Sequence, residues 1–63
     1  MEPVLVSLDA GVLRITLNRP EKLNAFNPDL HQGLAAAMAR AESESAVRCV
    51  LITGAGRGFC AGA

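Results

Sequence analysis

From Val12 to Thr53 the chain reads strand, helix, strand, and that order constrains the fold of its 63 residues more than any other feature. Val12-Leu13-Arg14-Ile15-Thr16-Leu17 alternates, with Leu13, Ile15 and Leu17 on one face and Val12, Arg14 and Thr16 on the other. Such alternation predicts a half-buried strand. Asn27, Pro28 and Asp29 then open a helix: an N-cap amide, a proline at the first helical position, and a carboxylate at the positive helix end. Leu30, Leu34, Met38 and Ala41 follow at helical spacing and predict one buried stripe. Gly33 weakens the helix by up to about 1 kcal/mol relative to Ala. Ala35, Ala36, Ala37 and Ala39 offset that, and the helix is expected to stop near Glu44 or Ser45. Arg48-Cys49-Val50-Leu51-Ile52-Thr53 is short and apolar at its centre. That suits a strand covered on both faces, with Cys49 packed inside it as a small apolar residue. Two strands joined through a helix lie parallel, by a right-handed crossover.

Ahead of this unit, Val4 to Leu8 is β-prone, and Asp9-Ala10-Gly11 makes a turn, so the chain opens with a β-hairpin. Asn18-Arg19-Pro20 ends it, because Pro20 cannot donate to a ladder. Residues 21–27 read as a loop. The class is α/β, a hairpin followed by β-α-β. A parallel sheet needs helices on its faces, and this chain offers one. The expectation is the N-terminal part of a larger α/β domain, incomplete as given, with a mobile segment or further chain after Ala63.

Composition narrows the function. At 51% hydrophobic and 19% charged residues, the chain forms a core and is not disordered. A formal net charge of zero and 3% aromatic residues argue against a basic nucleic-acid face and against base-stacking platforms. No apolar run approaches the roughly 18 residues of a membrane span. Glu2 precedes the first basic residue, Arg14, which is not the pattern of a secretory leader. Two cysteines, Cys49 and Cys60, make no disulfide scaffold and read as reduced thiols, so a cytoplasmic setting is expected. With His31 they do not match zinc spacing, and no metal is expected. His31 itself reads as a surface helix residue.

The chemistry concentrates in Gly54-Ala55-Gly56-Arg57-Gly58-Phe59-Cys60-Ala61-Gly62-Ala63, at the carboxyl end of the last strand. Open α/β sheets bind ligands at that end. A phosphate loop is excluded, because Lys22 is the only lysine and lies elsewhere. Gly56-x-Gly58-x-x-Ala61 fits a relaxed dinucleotide fingerprint and would make the chain a non-catalytic nucleotide-binding module. No helix pattern follows it, however, and a hairpin and a helix come before it. The third reading uses the backbone. Small residues around Gly62 let a ligand approach the main chain. A free N–H there can donate to a carbonyl oxygen that gains charge during reaction, and one pre-aimed donor is worth about 2.7–4 kcal/mol of barrier.

Two motifs bring a resemblance. Leu17-Asn18-Arg19-Pro20-Glu21-Lys22-Leu23-Asn24-Ala25-Phe26 and the run from Val50 to Ala63, in this order and at this separation, resemble the start of the crotonase family, the enoyl-CoA hydratase/isomerase superfamily. The likeness covers nearly the whole chain and the first quarter or so of the family's longer proteins. Arg48-Cys49 leading into the glycine loop looks most like the ring-isomerase branch, which acts on epoxidised phenylacetyl-CoA in phenylacetate degradation.

The resemblance implies a fold, the hairpin and β-α-β portion of a crotonase-type ββα superhelix, with residues 1–63 the N-terminal part of one acyl-CoA-binding domain. It implies an enzyme that stabilises a thioester enolate in a backbone oxyanion hole. The first N–H falls on Ala63. Ala61 and Gly62 lie along the CoA arm, and the segment Lys22, Leu23, Asn24 and Ala25 borders the pantetheine and phosphates. Arg57 is expected to pair with a carboxylate more readily than to touch CoA. CoA is part of the substrate, and no separate cofactor is implied. The second donor and the acid/base residues lie downstream in the family, so the 63 residues alone are expected to be inactive. The nearest rival activity is that of a trans-2-enoyl-CoA hydratase of fatty-acid β-oxidation. A homotrimer or a dimer of trimers is implied for the full-length protein.

Overall fold

A computed structural model describes residues 2–60 and Gly62. The chain forms β1 (Val4–Asp9), β2 (Val12–Leu17), a short 3-10 helix (Pro20–Lys22), α1 (Pro28–Ser43) and β3 (Cys49–Gly54). The three strands make one sheet in the order β1-β2-β3. β1 runs antiparallel to β2, and β2 runs parallel to β3. The expected hairpin and β-α-β unit are both present. Ala10 and Gly11 both take positive φ, +52° and +83°. That is the backbone of a two-residue type I′ turn, whose twist matches that of the paired strands.

β2 is the central strand, and its alternation decides the core. Leu13 and Ile15 are fully buried and Leu17 is nearly so, while Arg14 between them is exposed. Each fully buried aliphatic side chain of this size contributes about 1.5–3 kcal/mol. α1 covers this face. Asn27 caps it by accepting a hydrogen bond from the Leu30 N–H at its side-chain oxygen, 2.8 Å away, with Pro28 in the first turn. The helix ends at Ser43, and the Glu44 N–H still donates to the Arg40 carbonyl at 2.9 Å.

Three expectations need correction. Met38 is exposed and Ala37 is buried in its place, so the stripe is Leu30, Leu34, Ala37 and Ala41. Repeated steps of four residues drift about 40° each around a helix of 3.6 residues per turn, whereas alternating steps of four and three hold one face. The same face explains Gly33. A Cβ there would lie 2.9 Å from Val4 Cγ2, so the glycine lets the helix approach β1. β3 is not covered on both faces. Val50, Leu51 and Ile52 are each more than a third exposed, and Cys49 is exposed too. α1 packs on β1 and β2, and among the described residues β3 has no neighbour on its outer edge. The stretch read as a loop over 21–27 starts inside the 3-10 helix, where Pro20 pre-sets the first position.

Candidate functional site

The glycine loop leaves the carboxyl end of β3 beside β2, and the connection after β2 begins at the same end of the sheet. Parallel pairing therefore brings the two motifs together although about thirty residues separate them. Their contact is specific and largely polar.

Asn24 forms its centre. It is fully buried, at 0% exposure. Its side-chain oxygen accepts from the Arg19 N–H at 2.7 Å. Its side-chain nitrogen donates to the Ala55 carbonyl at 3.0 Å and the Gly58 carbonyl at 2.8 Å. Both amide protons and one oxygen lone pair are thus engaged, as a buried amide requires. Leu23 and Asn24 reach this placement with φ of +52° and +57°, the left-handed region that non-glycine residues seldom enter. The Arg19 guanidinium holds the next turn by donating to the Ala25 carbonyl.

Further contacts close the seam. A Cβ on Gly54 would lie 2.6 Å from the Phe59 carbonyl oxygen, 2.7 Å from that of Gly58 and 2.8 Å from Asn24 Nδ2, so the backbone at 54 has no room for a side chain. Gly56 packs on the Pro20 ring, where a Cβ would meet Pro20 Cβ at 2.7 Å. Gly62, at φ +99°, accepts a hydrogen bond at its carbonyl from the Phe26 N–H, 2.8 Å away. The loop is held at its start, middle and end by the first motif.

The expected site residues fall on this seam in part. Lys22 is exposed at the end of the 3-10 helix. Leu23 is half-exposed, and its Cβ lies 3.5 Å from a Cβ built on Gly58. Ala25 is partly buried with its carbonyl taken by Arg19. Gly62 is exposed, and a Cβ built there meets nothing within 4 Å. The structure therefore groups Lys22, Leu23, Ala25 and Gly62 along one docked pair of loops. The expected roles of Ala61 and Ala63 lie outside the described residues.

Other candidates separate from the seam. His31 is exposed and stacks edge-on against Phe26, ring centroids 6.2 Å apart. Arg57 is exposed and forms no salt bridge among the described residues, where the ion pair present is Arg40–Glu44. Cys60 packs against the core. A cleft lined by Pro3, Asn18, Arg19, Glu21, Asn27 and Asp29 flanks the first loop but does not include the grouped residues. Among the described residues, no group of three or more His, Cys, Asp or Glu gathers as a metal site, and no helix is long and apolar enough to cross a membrane.

Sequence reasoning placed Asn24 only in the segment bordering the substrate and missed its part in fastening the two loops. An asparagine in a loop ordinarily marks a turn. Only the parallel pairing of β2 with β3 shows that its amide faces the carbonyls of another loop.

Comparison with known proteins agrees with this geometry. Residues 7–63 match the family model described as Enoyl-CoA hydratase/isomerase. The chain is 52% identical to 1,2-epoxyphenylacetyl-CoA isomerase of Escherichia coli K12 over 98% of its own length and 24% of that protein. It is also 52% identical to mevalonyl-coenzyme A hydratase SIDH of Beauveria bassiana, over 82% of the chain and 19% of that protein. Among solved structures, the enoyl-CoA hydratase EchA12_1 of Mycobacterium marinum superposes with a TM-score of 0.95 at 48% identity, covering 100% of this chain and 32% of that one. The chain thus spans a fifth to a quarter of the length of these curated relatives.

Proposed function

The chain belongs to the enoyl-CoA hydratase/isomerase family, and from that membership we propose that residues 1–63 are the N-terminal part of a single domain that binds an acyl-CoA and stabilises its enolate. The observation that carries this reading is the seam between the two loops. The Gly62 carbonyl is held by the Phe26 N–H. That bond fixes the loop immediately before Ala63, whose N–H is the proposed donor to the substrate oxygen and lies outside the described residues.

The chemistry follows from that one donor. When a base removes a proton from the carbon beside a thioester, the C–H electron pair moves into a carbon–carbon bond. The carbonyl π pair moves onto oxygen. An N–H fixed at that oxygen stabilises the charge as it forms, by about 2.7–4 kcal/mol, or 10²–10³ in rate. The base and a second donor would come from outside the 63 residues. Returning the proton elsewhere isomerises the substrate, and adding water at the conjugated position hydrates it. Lys22, Leu23, Ala25, Ala61 and Gly62 would line the CoA arm, with the exposed Lys22 ammonium available to a phosphate. CoA enters as part of the substrate, and the reading calls for no other cofactor.

The finer assignment is a ring-type isomerase acting on epoxyphenylacetyl-CoA in phenylacetate degradation. The identity to the Escherichia coli isomerase across almost the whole chain supports it. The second reading is a trans-2-enoyl-CoA hydratase, favoured by the likeness to the Mycobacterium marinum hydratase. A homotrimer or a dimer of trimers in the cytoplasm completes the proposal, and the free thiols of Cys49 and Cys60 fit a reducing setting.

Calorimetric titration of the protein as expressed from its gene, with an acyl-CoA and separately with NAD, tests this. Binding of the acyl-CoA without NAD is expected. Binding of NAD without the acyl-CoA would replace the proposal with the nucleotide-binding module. Turnover of epoxyphenylacetyl-CoA against a trans-2-enoyl-CoA then separates isomerase from hydratase.

A further inference from the structure

We infer that Asn24 is a positioning residue, whose side-chain amide fixes the glycine loop that carries Gly62 at the proposed substrate site; the inference rests on the functional reading above. Among the described residues, backbone hydrogen bonds hold the glycine loop only near its two ends. Among those residues, its backbone bonds to the rest of the chain are Ala55 N–H to the Leu17 carbonyl at 2.8 Å and Phe26 N–H to the Gly62 carbonyl at 2.8 Å. Asn24 acts between these two points, donating to carbonyls at 55 and 58, on either side of the turn at Gly56. Those two bonds fix where the rest of the loop starts from. The Asn24 N–H also donates to the Arg19 carbonyl at 2.8 Å, while the Arg19 N–H returns a bond to the Asn24 side chain. The side chain is therefore locked from behind, with both amide protons directed at the loop. Two consecutive left-handed residues, Leu23 and Asn24, are needed to deliver it. Backbone strain of that kind persists only where the surroundings over-determine it. A loop that merely needed covering would be served by an apolar residue, without a fully buried amide matched to two carbonyls.

Asn24→Asp isolates the effect. It keeps the shape and the acceptor for the Arg19 N–H, and it sets carboxylate oxygen against the Ala55 and Gly58 carbonyls. Misplacing a catalytic group by about 1 Å costs about 10²-fold. The expected result is a drop in kcat of about 10²-fold, with affinity for a thioether analogue of the acyl-CoA held within about threefold. The thioether lacks the carbonyl oxygen, so its binding reports the CoA arm alone. A folded variant that keeps its kcat would overturn the inference, as would thioether affinity falling in step with kcat. Should the variant not fold, hydrogen exchange on the unaltered protein decides. Acyl-CoA is expected to slow exchange of the Arg19 and Phe26 amides more than the thioether does, and equal protection by both overturns the inference. An unaltered protein that binds the thioether but turns over no acyl-CoA fails the functional reading itself, and the inference with it.

Discussion

Replacing Gly54 by Ala separates two accounts of why a strand should end in glycine. If Gly54 were only a weak point in β3, Ala would stabilise the protein, because Gly in a strand interior costs about 0.5–1 kcal/mol relative to Ala. The structure predicts the opposite sign. The new Cβ would stand 2.6 Å from the Phe59 oxygen, 2.7 Å from the Gly58 oxygen and 2.8 Å from Asn24 Nδ2. Two of these are backbone atoms and the third is a buried amide, so none moves freely. Overpacking of this kind costs about 1–3 kcal/mol. Displacing the loop enough to relieve it breaks at least one Asn24 bond, and an unsatisfied buried amide adds about 1–3 kcal/mol. The net loss is about 1–5 kcal/mol, the sum of those two costs less the gain from removing glycine. Urea denaturation of the two proteins, compared at their midpoints with equal m-values, measures it. A Gly54→Ala protein as stable as the parent, or more so, would refute the close approach at this seam.

Four further substitutions test the scaffold by the same denaturation assay. Ala10→Asn places a residue that tolerates positive φ in the first turn position and is expected to raise stability by about 0.5–1 kcal/mol; a loss would contradict the turn geometry. Asn27→Ala removes the cap to the Leu30 N–H and is expected to cost about 1 kcal/mol, whereas no change would show that the helix does not depend on it. Ala37→Leu is expected to cost about 1–3 kcal/mol by overpacking while Met38→Ala stays within about 0.5 kcal/mol, and the reverse order would restore the helix face read from spacing.

The elements themselves were legible because local chemistry marks them. Val12 to Leu17 alternates without a break, and Asn27-Pro28 announces a helix start that the structure keeps to the residue. The helix face was less so. Leu30, Leu34 and Met38 look alike as apolar residues, and only the drift of four-residue steps and the nearness of Val4 to Gly33 bring Ala37 inward. The apolar run of β3 speaks for cover on two faces, yet one helix lying over β1 and β2 cannot supply it. At the site, glycine spacing and family likeness pointed to both loops, and the structure docks one on the other. The fastening was illegible, since Asn24 meets Ala55 and Gly58 from more than thirty residues away and nothing in its neighbours marks it as buried.

A main-chain donor that polarises the substrate carbonyl weakens its C=O bond. Isotope-edited infrared spectroscopy of an acyl-CoA carrying a ¹³C thioester carbonyl, bound to the protein, reads that bond. A carbonyl stretch displaced to lower frequency than in water is the predicted result. A bound ester whose stretch stays at its aqueous frequency or rises above it would contradict the account.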